Sequence, residues 1–349
     1  MNILQNVSLA AYSGMAVGGS AAYLTEASTR ADVREAFAWA EGQQLPIIMI
    51  GSGSNIVWRD EGFQGLVIVD RILHYEQFDE DETNTYLTIG SGEPWDSVVE
   101  RSVQAGLTGI EALSLIPGTA GATPVQNVGA YGQEIANVIT TIEAFDTEVK
   151  DFVTLASDDC GFSYRHSRFN TTDRGRFYIT GVTLHLTKGK PVAPFYSAVQ
   201  AYFQEHAITD VTPAIMRQAV VAIRSAKLPD YTQVHNNGSF FANPIVSAEE
   251  FSYLTANFEA IPHWLNDDGS VKISAAWLIE QAGFKDFHDP ETGMATWPTQ
   301  PLVLVNEHAK NTADVLAFKQ KIVDSVHSKF NITLQQEPEL LPNLSELTS

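Results

Sequence analysis

The stretch Ile116-Pro-Gly-Thr-Ala-Gly-Ala-Thr-Pro-Val-Gln-Asn-Val-Gly-Ala-Tyr-Gly132 carries no charged side chain. Gly118, Gly121, Gly129 and Gly132 alternate with Ala120, Ala122 and Ala130, and Pro117 and Pro124 interrupt any helix. Such a run brings bare backbone close to something. Glycine tolerates positive φ, which lets successive N–H groups converge on an anion. Thr119, Thr123, Gln126 and Asn127 add neutral donors and acceptors. Two readings stay open at this point. One is a binding loop for a large ligand with a phosphate and a flat polar ring; the other is a tightly packed loop of small residues.

The chain around it has 349 residues, too many for one ordinary core, so two or three domains are expected. Its 42 acidic and 21 basic residues leave a net charge of −21. That excess argues against a nucleic-acid or anionic-membrane surface. A phosphate-bearing ligand must then be held by local cations and backbone N–H groups. The single cysteine, Cys160, excludes an intrachain disulfide and suits a reducing compartment. Met1 to Ala10 lacks a basic start followed by an apolar core, and no run approaches the ~20 apolar residues of a membrane span. A cytoplasmic protein is expected.

In chain order, the pattern predicts a helix over Thr29–Glu41 capped by Thr29, and a buried strand Leu45–Ile50 running into Gly51-Ser-Gly-Ser-Asn-Ile56. A strand entering a glycine turn can present N–H groups to a ligand, yet Ile56 stands where a dinucleotide fingerprint needs a third small residue. Strands are predicted at Gly65–Asp70 and Thr85–Gly90, with the acidic segment Glu76–Glu82 between them as a solvated loop. A helix Trp95–Gly106 precedes the uncharged stretch. Val138–Phe145 and Lys150–Leu155 read as a hairpin, followed by a strand Phe177–Leu186. Lys188–Tyr196 reads as a loop, and Thr212-Pro213 as the cap and first turn of a helix ending near Leu228. Helices are predicted over Ser247–Phe258 and Asn311–Phe330, the latter with a capping box to Asp314. Strands are predicted at Leu302–Val305 and Ile332–Leu334.

No cluster of histidine, cysteine and carboxylate has a metal-ligand spacing, so no metal is expected. The candidates for chemistry are dispersed. Arg165 after Tyr164 suits bidentate capture of a carboxylate, or is a strand-end surface arginine. Ser239 follows Asn237-Gly238, a hairpin-turn signal, and is a polar group at a site or an ordinary turn serine. Glu337 and Glu339 flank Pro338 near the C-terminus. Arg224 and Lys227 lie three apart at a helix end, where they complement the dipole or meet phosphates.

Seven segments occur in one order: Gly51-Ser-Gly-Ser-Asn55, Ile116–Gly132, Gly161-Phe-Ser-Tyr-Arg165, Lys227-Leu-Pro-Asp230, Gly238–Pro244 with its Ser-Phe-Phe, Ala276-Trp-Leu-Ile-Glu280 and Leu334-Gln-Gln-Glu337. In that combination the chain resembles the UDP-N-acetylenolpyruvoylglucosamine reductases, from about Leu9 to Glu337. The resemblance implies an α+β fold: a two-part FAD-binding domain of the vanillyl-alcohol-oxidase type and a C-terminal α/β substrate-binding domain. The expected divisions are 1–70, 71–210 and 211–349.

The resemblance also implies FAD and NADPH as cofactors, a UDP-sugar substrate and a monomer. FAD contacts are expected from Gly51, Ser52, Gly53, Ser54, Asn55 and Ile56, and from Pro117, Gly118, Gly121, Ala122, Thr123, Gln126, Asn127, Gly129, Ala130 and Tyr131. Substrate contacts are expected from Tyr164, Tyr196, Arg224, Lys227, Asn243 and Lys272. Arg165 would polarise the substrate carboxylate, Glu337 would assist, and Ser239 would donate a proton. Counting three from Leu334 selects Glu337, with Glu339 as the alternative. The same FAD-binding fold also serves other sugar or alcohol oxidoreductases, and a flavin or nucleotide binder without activity is a further alternative.

Overall fold

The computed structural model describes residues 1–343; residues 344–349, the end of the expected third division, lie outside them. The first unit is a four-stranded sheet in the order Leu4–Ser8, Ser20–Ala27, Phe63–Asp70, Ile47–Ile50. The outer pair is antiparallel and the other pairings are parallel. Helix α1, Arg30–Gln43, covers one face with Val33, Ala36 and Ala40 against Leu66 and Ile68. Thr29 caps it as expected, in a full capping box with Asp32.

The second unit is an antiparallel sheet in the order Asp151–Ala156, Ile139–Asp146, Phe177–Lys188, Asn84–Gly90, Tyr75–Asp79. The segment expected as a solvated acidic loop is therefore in part an edge strand. It is exposed along nearly its whole length, so its composition reads as loop although its backbone pairs. Helix α2, Trp95–Gln104, buries Val98, Val99 and Val103 in the same core as Leu87 and Leu184. Two further helices follow, α3 (Ser197–Glu205), which the sequence pattern did not reveal, and α4 (Pro213–Lys227). Thr212 caps α4 through Ile215 N–H, with Pro213 in the first turn. Met216, Ala219 and Val220 pack with Val199, Phe203 and Ala112, and Arg217 grips Asp96 of α2 bidentately at 2.6 and 2.9 Å. Helix α4 lies beyond the expected division at residue 211, yet it packs on elements of the second unit.

The C-terminal unit has a sheet ordered His235–Ser239, Gln300–Asn306, Met294–Trp297, His288–Asp289, and a small sheet ordered Ile245–Val246, Val271–Ile273, His263–Leu265. Helices α5 (Ala248–Asn257), α6 (Ala275–Gln281) and α7 (Thr312–Phe330) enclose its core. Asn311 caps α7 through Asp314 N–H, but Asp314 accepts from Lys310 N–H at 3.0 Å instead of closing a box onto Asn311. Asp60 of the first unit accepts from Thr312 and Ala313 N–H at 2.8 and 3.0 Å, docking a carboxylate on the positive end of α7.

Two local expectations change. Asn237-Gly238 makes no hairpin turn: it lies inside the strand His235–Ser239, where a register shift against Gln300–Asn306 forms a bulge with Gly238 at φ 69°. Ile332–Leu334 forms no strand. The chain there makes an isolated bridge from Gln336 to Phe241, and Glu339–Leu341 then pairs in parallel with Ile56–Trp58 of the first unit. No helix among the described residues is long and apolar enough to cross a membrane.

Candidate active site

A cleft of about 1390 Å³ opens where the three units meet. Ordinary small-molecule sites run to roughly 300–1,000 Å³, so this one has room for an extended ligand or two adjoining ones. One wall is neutral. The turn after strand Ile47–Ile50 supplies residues 51–56, and the uncharged stretch supplies most of residues 116–130. The two loops are joined: Asn55 Nδ2 donates to Gln126 Oε1 at 2.7 Å, and Ser54 Oγ reaches Pro117 O at 3.4 Å. Two glycines are demanded by close approach. A Cβ on Gly51 would stand 2.3 Å from Thr119 Oγ1. Gly53 has φ +76°, and its Cβ would stand 2.1 Å from Tyr12 O.

Asn127, expected to face a ligand, is buried and does not line the cleft. Its Nδ2 donates to Glu134 Oε2 at 2.8 Å and Ser163 O at 3.1 Å, and its Oδ1 accepts from Ala136 N–H at 3.2 Å. It pins the end of the loop. The following Gly129–Ala130 and Gln133–Glu134 pair as a small hairpin whose turn is Tyr131-Gly132.

The other end of the cleft is charged. Tyr164 and Arg165 form a two-residue turn across which Ser163 and His166 exchange backbone hydrogen bonds of 3.0 and 3.1 Å. Arg165 sits at φ +60°, an unusual conformation for an arginine, and Asn170 Nδ2 holds its carbonyl at 3.1 Å. Its Nη2 donates to Gly129 O at 3.1 Å. Its Nε lies 3.0 Å from Glu337 Oε1, an ion pair that leaves the Nε proton without an aligned acceptor. The pair is largely covered, with side chains 23% and 12% exposed. Burial pushes the Glu337 carboxyl above its ordinary range, and the Arg165 charge and hydrogen bond oppose that rise. A guanidinium held at its Nε by a buried carboxylate can still offer its Nη groups to an incoming acid group.

Ser239 ends the bulged strand and lines the same cleft, below the buried Phe240 and Phe241. That strand is tied to the first loop: Asn237 Nδ2 donates to Ser54 O at 2.8 Å and Ile56 O at 3.2 Å. Glu337 N–H donates to Phe240 O at 3.0 Å, which brings the carboxylate to the serine's neighbour. Glu339, the alternative carboxylate, instead pairs with Arg174.

Asn243 and Tyr164 line the cleft near Arg165, and Tyr164 is held above its ordinary pKa by burial. Lys272 is not among the lining residues, but its Nζ stands 4.7 Å from the Tyr164 ring centre and 5.7 Å from that of Trp264. Burial first, and the Arg165 charge second, pull its ammonium below the ordinary lysine range. Arg224 lines the cleft from the last turn of α4 and lies against the Tyr131 phenol, with its Nε unpartnered. Tyr131 in turn meets Tyr196 edge-on at 5.6 Å. Tyr131, Tyr196 and Lys227 lie outside the lining; Lys227 ends α4, where its carbonyl accepts from Thr299 Oγ1 at 2.7 Å. Arg59, Arg174 and Asp70 line the cleft without having been singled out in the sequence. Each is a lone charged residue at a strand end or in a loop, a pattern that carries no motif.

Known proteins resemble this chain in both sequence and fold. Residues 21–148 match the family model described as an FAD binding domain, and residues 230–341 match the C-terminal domain of UDP-N-acetylenolpyruvoylglucosamine reductase. A UDP-N-acetylenolpyruvoylglucosamine reductase of Alcanivorax borkumensis is 39% identical over 85% of this chain and 84% of its own length. Those of Cupriavidus pinatubonensis and Pseudomonas syringae are 37% and 35% identical, covering 92% and 97% of this chain and 94% and 99% of their own. The solved structure of the Thermus caldophilus reductase superposes with a TM-score of 0.68 at 23% identity, over 98% of this chain and all of that one, and so shares the fold. The neutral wall suits FAD: Gly51, Gly53 and Gly121 let the backbone pack closely, its loops carry no charge to repel a pyrophosphate, and Arg59 supplies a cation nearby.

Proposed function

The chain belongs to the UDP-N-acetylenolpyruvoylglucosamine reductase family, and from that premise we propose that it reduces the enolpyruvyl group of UDP-N-acetylglucosamine enolpyruvate to UDP-N-acetylmuramate, using FAD and NADPH, in peptidoglycan precursor synthesis. The observation that carries this reading is the meeting of Arg165, Glu337 and Ser239, each from a different segment, in one cleft continuous with the neutral loops.

Loops 51–56 and 117–130 hold the FAD. Bound FAD, once reduced by NADPH, supplies a hydride for the enolpyruvyl methylene carbon. Arg165 receives the substrate carboxylate with the Nη groups of its guanidinium and steadies the negative charge that grows there as the double bond is consumed. Glu337 fixes the guanidinium at its Nε, 3.0 Å away. Ser239 Oγ–H gives its proton to the adjacent carbon, and solvent restores it. A serine is a poor acid in water; it acts here because the carbon it faces carries carbanion character. Arg224, Lys227 and Lys272 are the cations that meet the UDP phosphates, with Tyr164, Tyr196 and Asn243 completing the substrate site.

The test is direct. Purified protein should carry one non-covalent FAD, released by acid. NADPH should bleach it, and the enolpyruvyl UDP-sugar should restore the colour with formation of the lactyl ether. Bleached flavin that this substrate leaves reduced would contradict the proposal.

A further inference from the structure

We propose that residues 335–341 form a strap that positions Glu337, and that the Arg174–Glu339 ion pair is its adjustable pin; this deepens, and rests on, the reading of Arg165 and Glu337 given above. The strap touches all three units. At its start, Ala242 N–H donates to Gln335 O at 3.0 Å and Glu337 N–H to Phe240 O at 3.0 Å, both within the C-terminal unit. At its end, Glu339–Leu341 pairs with Ile56–Trp58 of the first unit, and Leu341 is buried in that unit's core. In between, two carboxylates two residues apart both turn to the second unit: Glu337 meets Arg165, and Glu339 meets Arg174. Pro338 stiffens the step between them, and Gln336 Nε2 donates to its carbonyl at 2.7 Å.

The anchor of the strap is also the cofactor loop. Glu339 N–H donates to Asn55 O at 2.8 Å, and the Asn55 side chain is the one that joins loop 51–56 to Gln126. A partly exposed ion pair adds little to stability. Its value here is geometric: it adds a side-chain tie to the second unit two residues from Glu337, beside the backbone bonds of Glu337 to Phe240 and Glu339 to Asn55. Without it, Glu337 drifts from Arg165 while the cofactor loops stay in place.

The holoenzyme variants Glu339→Gln and the charge-swapped pair Arg174→Glu with Glu339→Arg test this. FAD content and bleaching by NADPH should be unchanged in Glu339→Gln. Reoxidation by the enolpyruvyl substrate should slow by about ten- to a hundredfold, the scale of a small misplacement at a reacting centre. Its acid limb should move to higher pH, because Arg165 is what holds the Glu337 carboxyl down against burial. Tyr164, Lys272 and Glu134 are further titratable groups beside this pair, and their own variants separate them from that limb. Amide exchange across 335–341 should quicken, and the swap should reverse both effects. Wild-type reoxidation in Glu339→Gln overturns the proposal. A loss that the swap fails to recover also overturns it, because Glu339 then acts by direct contact. If the wild-type protein does not reduce the enolpyruvyl sugar, the proposed reaction has failed, and exchange alone decides the strap: quickening reversed by the swap upholds it, unchanged exchange overturns it.

Discussion

The two ends of the cleft are built on opposite principles. The neutral end is two loops, 51–56 and 116–130, that offer backbone and amide groups and owe their shape to Gly51, Gly53 and Gly121, which have no space for a Cβ. The charged end is assembled from single residues: Arg165 on a strained turn, Ser239 after a bulge, Glu337 on a strap, and Arg224 at a helix end. The first end binds by close approach of backbone, which tolerates little change of volume. The second works by charge placed in a covered site, where Arg165 and Glu337 each depend on a neighbour from another unit. A large neutral ligand surface and a small reactive centre thus meet without the loops having to supply any charge.

The largest expected effect falls at the charged end. Ser239→Ala should slow reoxidation of reduced flavin by about 10²–10⁴-fold, the usual worth of general acid catalysis. Bleaching by NADPH should be untouched, as followed by rapid-mixing absorbance. At the neutral end, alanine at Gly53 must adopt positive φ against Tyr12 O, at a cost of roughly 1–3 kcal/mol. FAD affinity should fall by about ten- to a hundredfold, measured by flavin titration of the deflavinated protein.

A third change probes the floor between the ends. Burial holds Asp70 at about 6 against an ordinary 3.8, outweighing its hydrogen bond from Ile72 N–H and the Arg71 charge. The folded protein therefore binds more protons than the unfolded chain between these values, so stability is lost as pH rises through that window. Asp70→Asn should gain on the order of 1–3 kcal/mol relative to wild type above about pH 7, and the gain should vanish near the lower pKa. Urea unfolding at saturating FAD across this range measures it. Smallest of all, Tyr196→Phe and Lys227→Ala should each weaken substrate binding by about 1 kcal/mol and leave flavin bleaching alone. Unchanged affinity in both would remove them from the site.

The same contrast decides how much could be read from the sequence. The loop at the neutral end was legible because its physics is local: glycine, alanine and proline in an uncharged run make a close-packed loop, though the run alone left open whether that loop binds a ligand. The caps at Thr29, Thr212 and Asn311 were legible for the same reason. Arg165, Ser239 and Glu337 were not visible as a group from their own segments; only the order of seven segments, and the family it resembles, joined them. Asn237-Gly238 misled because a glycine at positive φ serves a bulge as readily as a turn. The Glu76–Glu82 segment misled because an exposed edge strand has the composition of a loop. Asn127 shows the limit within the legible end: its type suits a ligand contact, but three internal hydrogen bonds consume its amide.

One experiment bears most directly on the division of labour between the two ends: both half-reactions, followed separately by rapid mixing, in Gly53→Ala and Ser239→Ala. Gly53→Ala should hold less FAD, yet each flavin that remains should bleach and reoxidise at wild-type rates. Ser239→Ala should hold full FAD, bleach normally and fail to reoxidise. If Ser239→Ala reoxidises at close to the wild-type rate, or if the flavin left in Gly53→Ala cannot be reoxidised by substrate, the two ends do not divide the reaction in this way.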